Sequence, residues 1–255
     1  KKKLFNKNST NPVYLYGYGS YGHEESLNFN SNLIPMINRG FIYVIAHVRG
    51  GGFLGNQWYE NGKMLNKINT FKDFISCAKF LINEKYTFKK GIVIEGSSAG
   101  GLLVGACMTM NPELFNTVIA DVPFVDVLTT ISDPSIPLSI LEWKQWGNPN
   151  EKKYFDYIKQ YSPYDNIIKT KYPNILVLTG LNDPRVGYWE PAKFVAKLRY
   201  YKTDNNLLLL KTEMNQGHFG ESDRYKYFKE ISFKYIFILK TFKMLPNYYK
   251  IKYSC

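Results

Sequence analysis

The sequence predicts a one-domain α/β fold in which a mostly parallel sheet is covered by helices on both faces. Three observations lead there. The 255 residues are 45% hydrophobic and 16% aromatic, which suits one large domain with a substantial core and excludes a disordered or fibrous class. Apolar runs of strand length alternate along the chain with segments of helical spacing. No internal repeat or low-complexity linker interrupts that alternation.

Residues 12–18 and 41–48 are apolar runs bounded by glycine, the pattern of strands buried on both faces, and 70–82 has apolar residues at helical spacing. A strand over 91–95 follows, then a helix over 99–110 that stops near Asn111-Pro112. Strands are expected at 118–122, 174–179 and 207–210, with a helix over 190–200 and a long final helix over 224–242. Residues 124–165, rich in Pro, Trp and Tyr, form the least regular stretch. In an open α/β sheet such an excursion lies over the carboxyl ends of the strands, where ligands bind.

The formal charge is +12, yet apart from Lys1-Lys2-Lys3, Lys89-Lys90 and Lys152-Lys153 the basic residues are scattered. No basic-aromatic motif forms, so nucleic-acid binding is not expected. Cys77, Cys107 and Cys255 are odd in number and lack metal-ligand spacing, which supports neither a disulfide framework nor a zinc site. Cys77 and Cys107 fall in helical patterns beside apolar residues, as buried free thiols do. No signal-like run opens the chain, and nothing reaches about 18 consecutive apolar residues. A soluble protein of a reducing, cytoplasmic compartment is expected, with no membrane partner.

The most informative stretch is Gly91-Ile92-Val93-Ile94-Glu95-Gly96-Ser97-Ser98-Ala99-Gly100-Gly101-Leu102-Leu103, where a β-branched run meets Gly-x-Ser-x-Gly and then an apolar helical pattern. That is a nucleophile elbow: a sharp strand-to-helix turn lifts the serine clear of the sheet, and the flanking glycines leave room for it. Ser98 is the candidate nucleophile of an α/β-hydrolase fold.

A serine that transfers acyl groups needs a histidine base. The chain has His23, His47 and His218, and the order Ser, Asp or Glu, His leaves only His218, in the glycine-flanked loop Asn215-Gln216-Gly217-His218-Phe219-Gly220. Between the two, Asp183 follows the run Ile175-Leu176-Val177-Leu178-Thr179-Gly180-Leu181-Asn182, at a strand's carboxyl end. There it would fix the tautomer of His218. Asp121 and Asp126 follow the strand next to the elbow instead, and Asp204 lies too near a helix end.

The backbone N–H of Ala99 is one donor for an oxyanion, and losing such a donor costs about 10²- to 10³-fold in turnover. The second is expected from Tyr16-Gly17-Tyr18-Gly19-Ser20-Tyr21-Gly22. Spacing leaves open whether it is a backbone N–H or a tyrosine hydroxyl.

These segments, together with His47-Val48-Arg49-Gly50-Gly51-Gly52, Gln57-Trp58-Tyr59-Glu60, Asn69-Thr70-Phe71, Val122-Pro123-Phe124-Val125-Asp126, Trp146-Gly147-Asn148-Pro149, Tyr161-Ser162-Pro163-Tyr164-Asp165 and Tyr188-Trp189-Glu190-Pro191-Ala192-Lys193, resemble the catalytic domain of the prolyl oligopeptidase family of serine peptidases, most closely its oligopeptidase B members. The resemblance runs over about residues 11–239. It implies cleavage of short peptides after Arg or Lys, with Ser98, Asp183 and His218 as triad. It also implies the Tyr18 hydroxyl as the second oxyanion donor, Arg185 as anchor for a substrate carbonyl and Glu142 as partner of the basic side chain. A carboxylate is what a guanidinium requires. No metal or organic cofactor is implied.

The sequence departs from the family at several positions. Lys144 stands where a second acidic residue is expected, Ser26 and Asn28 replace an acidic pair, and Phe53 replaces the glutamate after three glycines. Glu24 and Glu25 are close enough in sequence to substitute for that pair. No bladed repeat precedes Tyr14, so the β-propeller that caps this family's active site is expected outside residues 1–255, which read as the catalytic domain alone. An acyl esterase or lipase on the same fold, and a catalytically inactive binding relative, are the competing readings.

Overall fold

The computed structural model describes residues 4–220 and 223–245. Lys1-Lys2-Lys3 and Cys255, singled out above, lie outside the described residues. The chain runs β1 (Val13–Tyr16), α1 (Ile34–Ile37), β2 (Ile42–Ile45), α2 (Asn56–Glu60), α3 (Ile68–Asn83), β3 (Ile92–Ser97) and α4 (Ala99–Met110). It continues with β4 (Thr117–Asp121), α5 (Val127–Ser132), α6 (Ser139–Trp146), α7 (Lys152–Lys159), β5 (Asn174–Gly180), α8 (Trp189–Tyr201), β6 (Leu208–Glu213) and α9 (Arg224–Thr241).

Every strand pair is parallel, in the order β2-β1-β3-β4-β5-β6. The inner strands are mostly apolar because both faces are covered, with Glu95 of β3 and Asp121 at the end of β4 as charged exceptions. Val13, Leu15, Ile92, Ile94, Val118, Ala120, Ile175 and Val177 point into one core. The intervening Tyr14, Val93, Ile119 and Leu176 point into a second core, shared with Phe237, Ile238 and Leu239 of α9. Helix α4 is apolar all round and buried from Ala99 to Met108, as a helix pressed against the centre of a sheet must be.

The expected elements recur, most with shifted ends, and two readings need correction. Residues 41–48 are not a strand buried on both faces: β2 spans only Ile42–Ile45, lies at the sheet edge and is half-buried at all four positions. Residues 124–165 are more regular than expected, holding α5, α6 and α7. Helix α6 starts after Leu138, whose φ is +74°, and is tied down by Ser139 Oγ donating to the Thr130 carbonyl and Trp143 Nε1 donating to that of Ile131, both at 2.9 Å. Of the two cysteines among the described residues, both free, Cys107 is buried as expected, whereas Cys77 is only half-buried. Among the described residues no helix is long and apolar enough to cross a membrane.

The strand order determines where a ligand can enter. The chain leaves β1 for the outer strand β2, then returns across β1 to β3. At this reversal the loops after β1 and β3 run in opposite directions, opening a crevice at the carboxyl ends of two neighbouring strands. Tyr18 follows β1 and Ser98 follows β3.

Candidate active site

Ser98 is the hinge of the turn between β3 and α4, with φ +57° and ψ −117°. That conformation is costly for any residue with a Cβ and survives only where the surroundings enforce it. Enforcement comes from both sides: Ser98 N–H donates to the Asp121 carbonyl at 2.9 Å, and its own carbonyl accepts from Gly101, Leu102 and Phe124. A Cβ on Gly96 would lie 2.1 Å from the Gly100 carbonyl oxygen, and one on Gly100 would lie 2.9 Å from that of Gly17. These two positions must be glycine for the elbow to close against the turn that carries Tyr18.

His218, in the loop after β6, has Nε2 3.0 Å from Ser98 Oγ and Nδ1 2.7 Å from Asp183 Oδ2. The Asp183 side chain is fully buried, and its Oδ1 accepts the backbone N–H groups of Arg185 and Val186 at 2.8 and 2.9 Å. Burial would raise this carboxyl, but the bonds from His218, Val186 and Arg185 outweigh it and hold Asp183 below the ordinary carboxylate value. The carboxylate is therefore ionised at neutral pH and orients the ring.

A cleft of about 230 Å³ opens in front of Ser98, bounded by Tyr18, Ala99, Phe124, Ile131, Glu142 and Arg185. Among the described residues no acceptor takes the Ala99 N–H. Burial raises the Tyr18 phenol, with the Ser98 hydroxyl pulling the other way, so Tyr18 remains a protonated donor at neutral pH. Glu142 stands across the cleft, where Tyr21 OH and Trp146 Nε1 both donate to its Oε2, at 2.8 and 2.6 Å. Burial, reinforced by the Glu142 charge, pushes the Tyr21 phenol up. The Arg185 guanidinium lies over the exposed Phe219 ring, 4.7 Å from its centre.

The remaining candidates fall elsewhere. Lys144 is exposed on α6. Glu25, Ser26 and Asn28 line a separate cleft of about 440 Å³ beside Tyr43 and Tyr235, with Glu25 Oε1 3.3 Å from His23 Nε2. Neither Glu24 nor Glu25 lines the Ser98 cleft. His47 stacks on Phe53 with ring centres 3.9 Å apart. Asp121 is held by Lys234 at 2.5 Å, Asp126 by Lys193, and Asp204 accepts from Tyr172 N–H at 2.8 Å. Among the described residues no group of three or more His, Cys, Asp or Glu could hold a metal ion.

Sequence reasoning missed Tyr21 and Trp146 as partners of Glu142, Lys67 beneath the Tyr18 turn, and Glu190. The fully buried Glu190 carboxylate accepts Val125 N–H, Asp126 N–H and Thr130 Oγ1 at 3.1, 2.9 and 2.7 Å, fixing the segment that carries the far wall of the cleft. Only the Glu142–Trp146 pair, four residues apart on α6, follows helical spacing; no periodicity marks the others.

A parallel sheet with a strained serine after its third strand, and a histidine bridging that serine to a buried aspartate, defines the α/β-hydrolase class. Residues 27–245 match the Prolyl oligopeptidase family, and the chain belongs to it. It is 52% identical over 232 residues to Protease 2 of Moraxella lacunata, covering 91% of this chain and 34% of that one. Oligopeptidase B from Leishmania major superposes with a TM-score of 0.92 at 53% identity, over 94% of this chain and 33% of that one. Oligopeptidase B from Trypanosoma brucei, solved with covalently bound antipain in a closed form, gives 0.91 at 54% identity, over 93% and 34%. The chain thus spans about a third of the length of the relatives it matches.

Proposed function

We propose that residues 1–255 are the catalytic domain of a serine oligopeptidase that hydrolyses short peptides after Arg or Lys through an acyl-enzyme on Ser98. The observation that carries this reading is the His218 ring bridging Ser98 Oγ and Asp183 Oδ2 at 3.0 and 2.7 Å.

Ser98 Oγ attacks the scissile carbonyl carbon while His218 Nε2 takes its proton, and Asp183 stabilises the resulting imidazolium. The oxyanion receives hydrogen bonds from Ala99 N–H and Tyr18 OH. His218 then gives its proton to the leaving amine, and the acyl group stays on Ser98. Water, deprotonated by the same ring, releases the peptide acid and restores the serine. Covalently bound antipain in the Trypanosoma brucei relative supports a covalent route.

The basic side chain beside the cleaved bond is assigned to Glu142, whose two neutral donors both fall on Oε2. Arg185 is assigned to a backbone carbonyl of the peptide. Since the chain as a whole carries +12, attraction of a cationic peptide has to come from Glu142 at short range. The two thirds of the relatives that this chain does not match support a partner domain over this face, which we assign to the family's β-propeller. Leu138, Ile140, Leu141 and Phe219 are exposed around the cleft, an apolar rim suited to such a cover.

The test is hydrolysis of a fluorogenic amide with Arg at the cleaved bond, beside the same amide with Pro and beside Ser98→Ala. Release from the Arg amide alone, abolished in the variant, is expected. Silence on both amides overturns the peptidase reading.

A further inference from the structure

Beneath the cleft lies a cation that the reaction above does not use. Lys67, just before α3, is 1% exposed. Its Nζ donates to the Gly19 carbonyl at 2.6 Å and to Ser20 Oγ at 2.9 Å. The Trp146 and Phe71 ring centres lie 5.1 and 5.7 Å from it. Burial pushes this ammonium down to about 7, countered only by the neighbouring Cys107 thiol. No carboxylate of the described residues pairs with it.

An ammonium in such a place is expensive, since burying a charge without a counter-ion costs several kcal/mol even after relaxation. A methionine would fill the same volume without that cost. What methionine cannot supply is donation to the Gly19 carbonyl and Ser20 hydroxyl. These acceptors are one and two residues beyond Tyr18, in a turn that is already tightly held. Gly19 has φ +72°, and a Cβ there would lie 2.5 Å from Thr70 Cγ2 and 2.7 Å from Val48 Cγ2. The same ammonium lies over Trp146, which donates to Glu142.

We propose that Lys67 is a positioning residue for the reaction: its buried ammonium grips the Gly19 carbonyl and the Ser20 hydroxyl and so holds the Tyr18 hydroxyl where the oxyanion forms. The proposal rests on the peptidase reading. Lys67 touches no substrate; it acts through Tyr18, and a displacement of that hydroxyl by about 1 Å costs on the order of 10²-fold in rate.

The experiment is a double-mutant cycle on the full-length protein that contains this chain, with the Arg amide as substrate. Tyr18→Phe is expected to lower kcat by about 10²-fold, and Lys67→Met by about 10- to 10²-fold with KM little changed. The double variant is expected to be no worse than the poorer single one, because once the grip is lost the phenol no longer reaches the oxyanion. Ser20→Ala, which removes one acceptor and keeps the lysine, gives a smaller loss that is likewise non-additive with Tyr18→Phe. Should Lys67→Met fail to fold, the Ser20→Ala cycle decides alone. A full, independent cost of Tyr18→Phe in either background overturns the positioning role, as does a loss read in KM rather than kcat. Wild-type kcat in Tyr18→Phe, or activity surviving Ser98→Ala, refutes instead the reading beneath it.

Discussion

His218 Nδ1 lies 2.7 Å from Asp183 Oδ2, and the other oxygen of that carboxylate is claimed by two backbone N–H groups of its own loop. The ring therefore meets an acceptor that cannot rotate away, and Nε2 is left facing Ser98. Asp183→Asn keeps the volume and the loop bonds but no longer holds the ring in that tautomer. A fall in kcat of about 10⁴-fold is expected with the circular dichroism spectrum unchanged. Because the folded carboxyl sits below its ordinary value, it adds stability above the unfolded value that is lost as pH falls through the folded one. The stability gap between wild type and Asp183→Asn is accordingly expected to narrow below about pH 4.

The strained backbone of Ser98 gives a prediction in which two replacements of this proposed nucleophile differ. Both Ser98→Ala and Ser98→Gly are expected to abolish hydrolysis, but only glycine relieves a φ of +57°. Denaturant unfolding is expected to show Ser98→Gly more stable than Ser98→Ala by about 1 kcal/mol. Equal midpoints would mean that the turn stores no strain at this residue.

Glu142 sets the third test. In Glu142→Gln the carbonyl oxygen still accepts from Tyr21 and Trp146, so the wall of the cleft stays in place while its charge disappears. Steady-state kinetics are expected to show kcat/KM for the Arg amide down by about 10- to 10²-fold. An amide with a neutral side chain at that position should be nearly unaffected, and a parallel loss on both substrates would remove Glu142 from specificity.

Lys234 joins α9 to the carboxyl ends of β3 and β4, with Nζ 2.9 Å from Glu95 Oε1 and 2.5 Å from Asp121 Oδ2. Burial would lower this ammonium, yet the two carboxylates overcome it and raise it above its ordinary value. Lys234→Met strands two carboxylates beside the elbow strand. A loss of about 3–5 kcal/mol at pH 7 is expected; the free energy of urea unfolding checks it.

Glu190 reports through pH. Burial pushes its carboxyl up to about 7 despite the bonds from Asp126 N–H, Thr130 and Val125 N–H that favour the ion. A folded value above the unfolded one means that the folded state binds the proton more tightly. The stability this group adds is full below about pH 4.5 and lost as pH rises to about 7. Glu190→Gln accepts the two N–H groups with its carbonyl and donates to Thr130, so it should flatten that slope by about 3 kcal/mol. Unfolding free energies between pH 4 and 8 decide it.

How much of this was legible beforehand depended on the range of the interaction. Helix α4 was read with its observed ends, because an apolar run after Gly-x-Ser-x-Gly needs no partner to be recognised. Ser98, Asp183 and His218 could be picked out because each ends a strand or follows one, in the order Ser, Asp, His. Helices α5 to α7 were not, since six to eight residues are too few for a periodic signal and their stability comes from contacts such as Ser139 to Thr130 and Trp143 to Ile131. β2 misled because apolar residues suit a buried strand, while its place at the sheet edge depends on the strand order.

The sequence by itself determined the alternating α/β pattern, the elbow and the three residues that meet there, because these follow from local periodicity, turn chemistry and order along the chain. Only the tertiary structure decided what surrounds them: the Tyr21 and Trp146 bonds to Glu142, the Glu190 carboxylate behind the cleft wall, and the Lys67 ammonium under the Tyr18 turn. Those partners are 121, 4, between 60 and 65, and 47 to 48 residues apart in sequence. Apart from the Glu142–Trp146 pair, which helix α6 brings together four residues apart, such a bond depends on where two distant side chains come to rest, and the spacing of residues along the chain does not encode that.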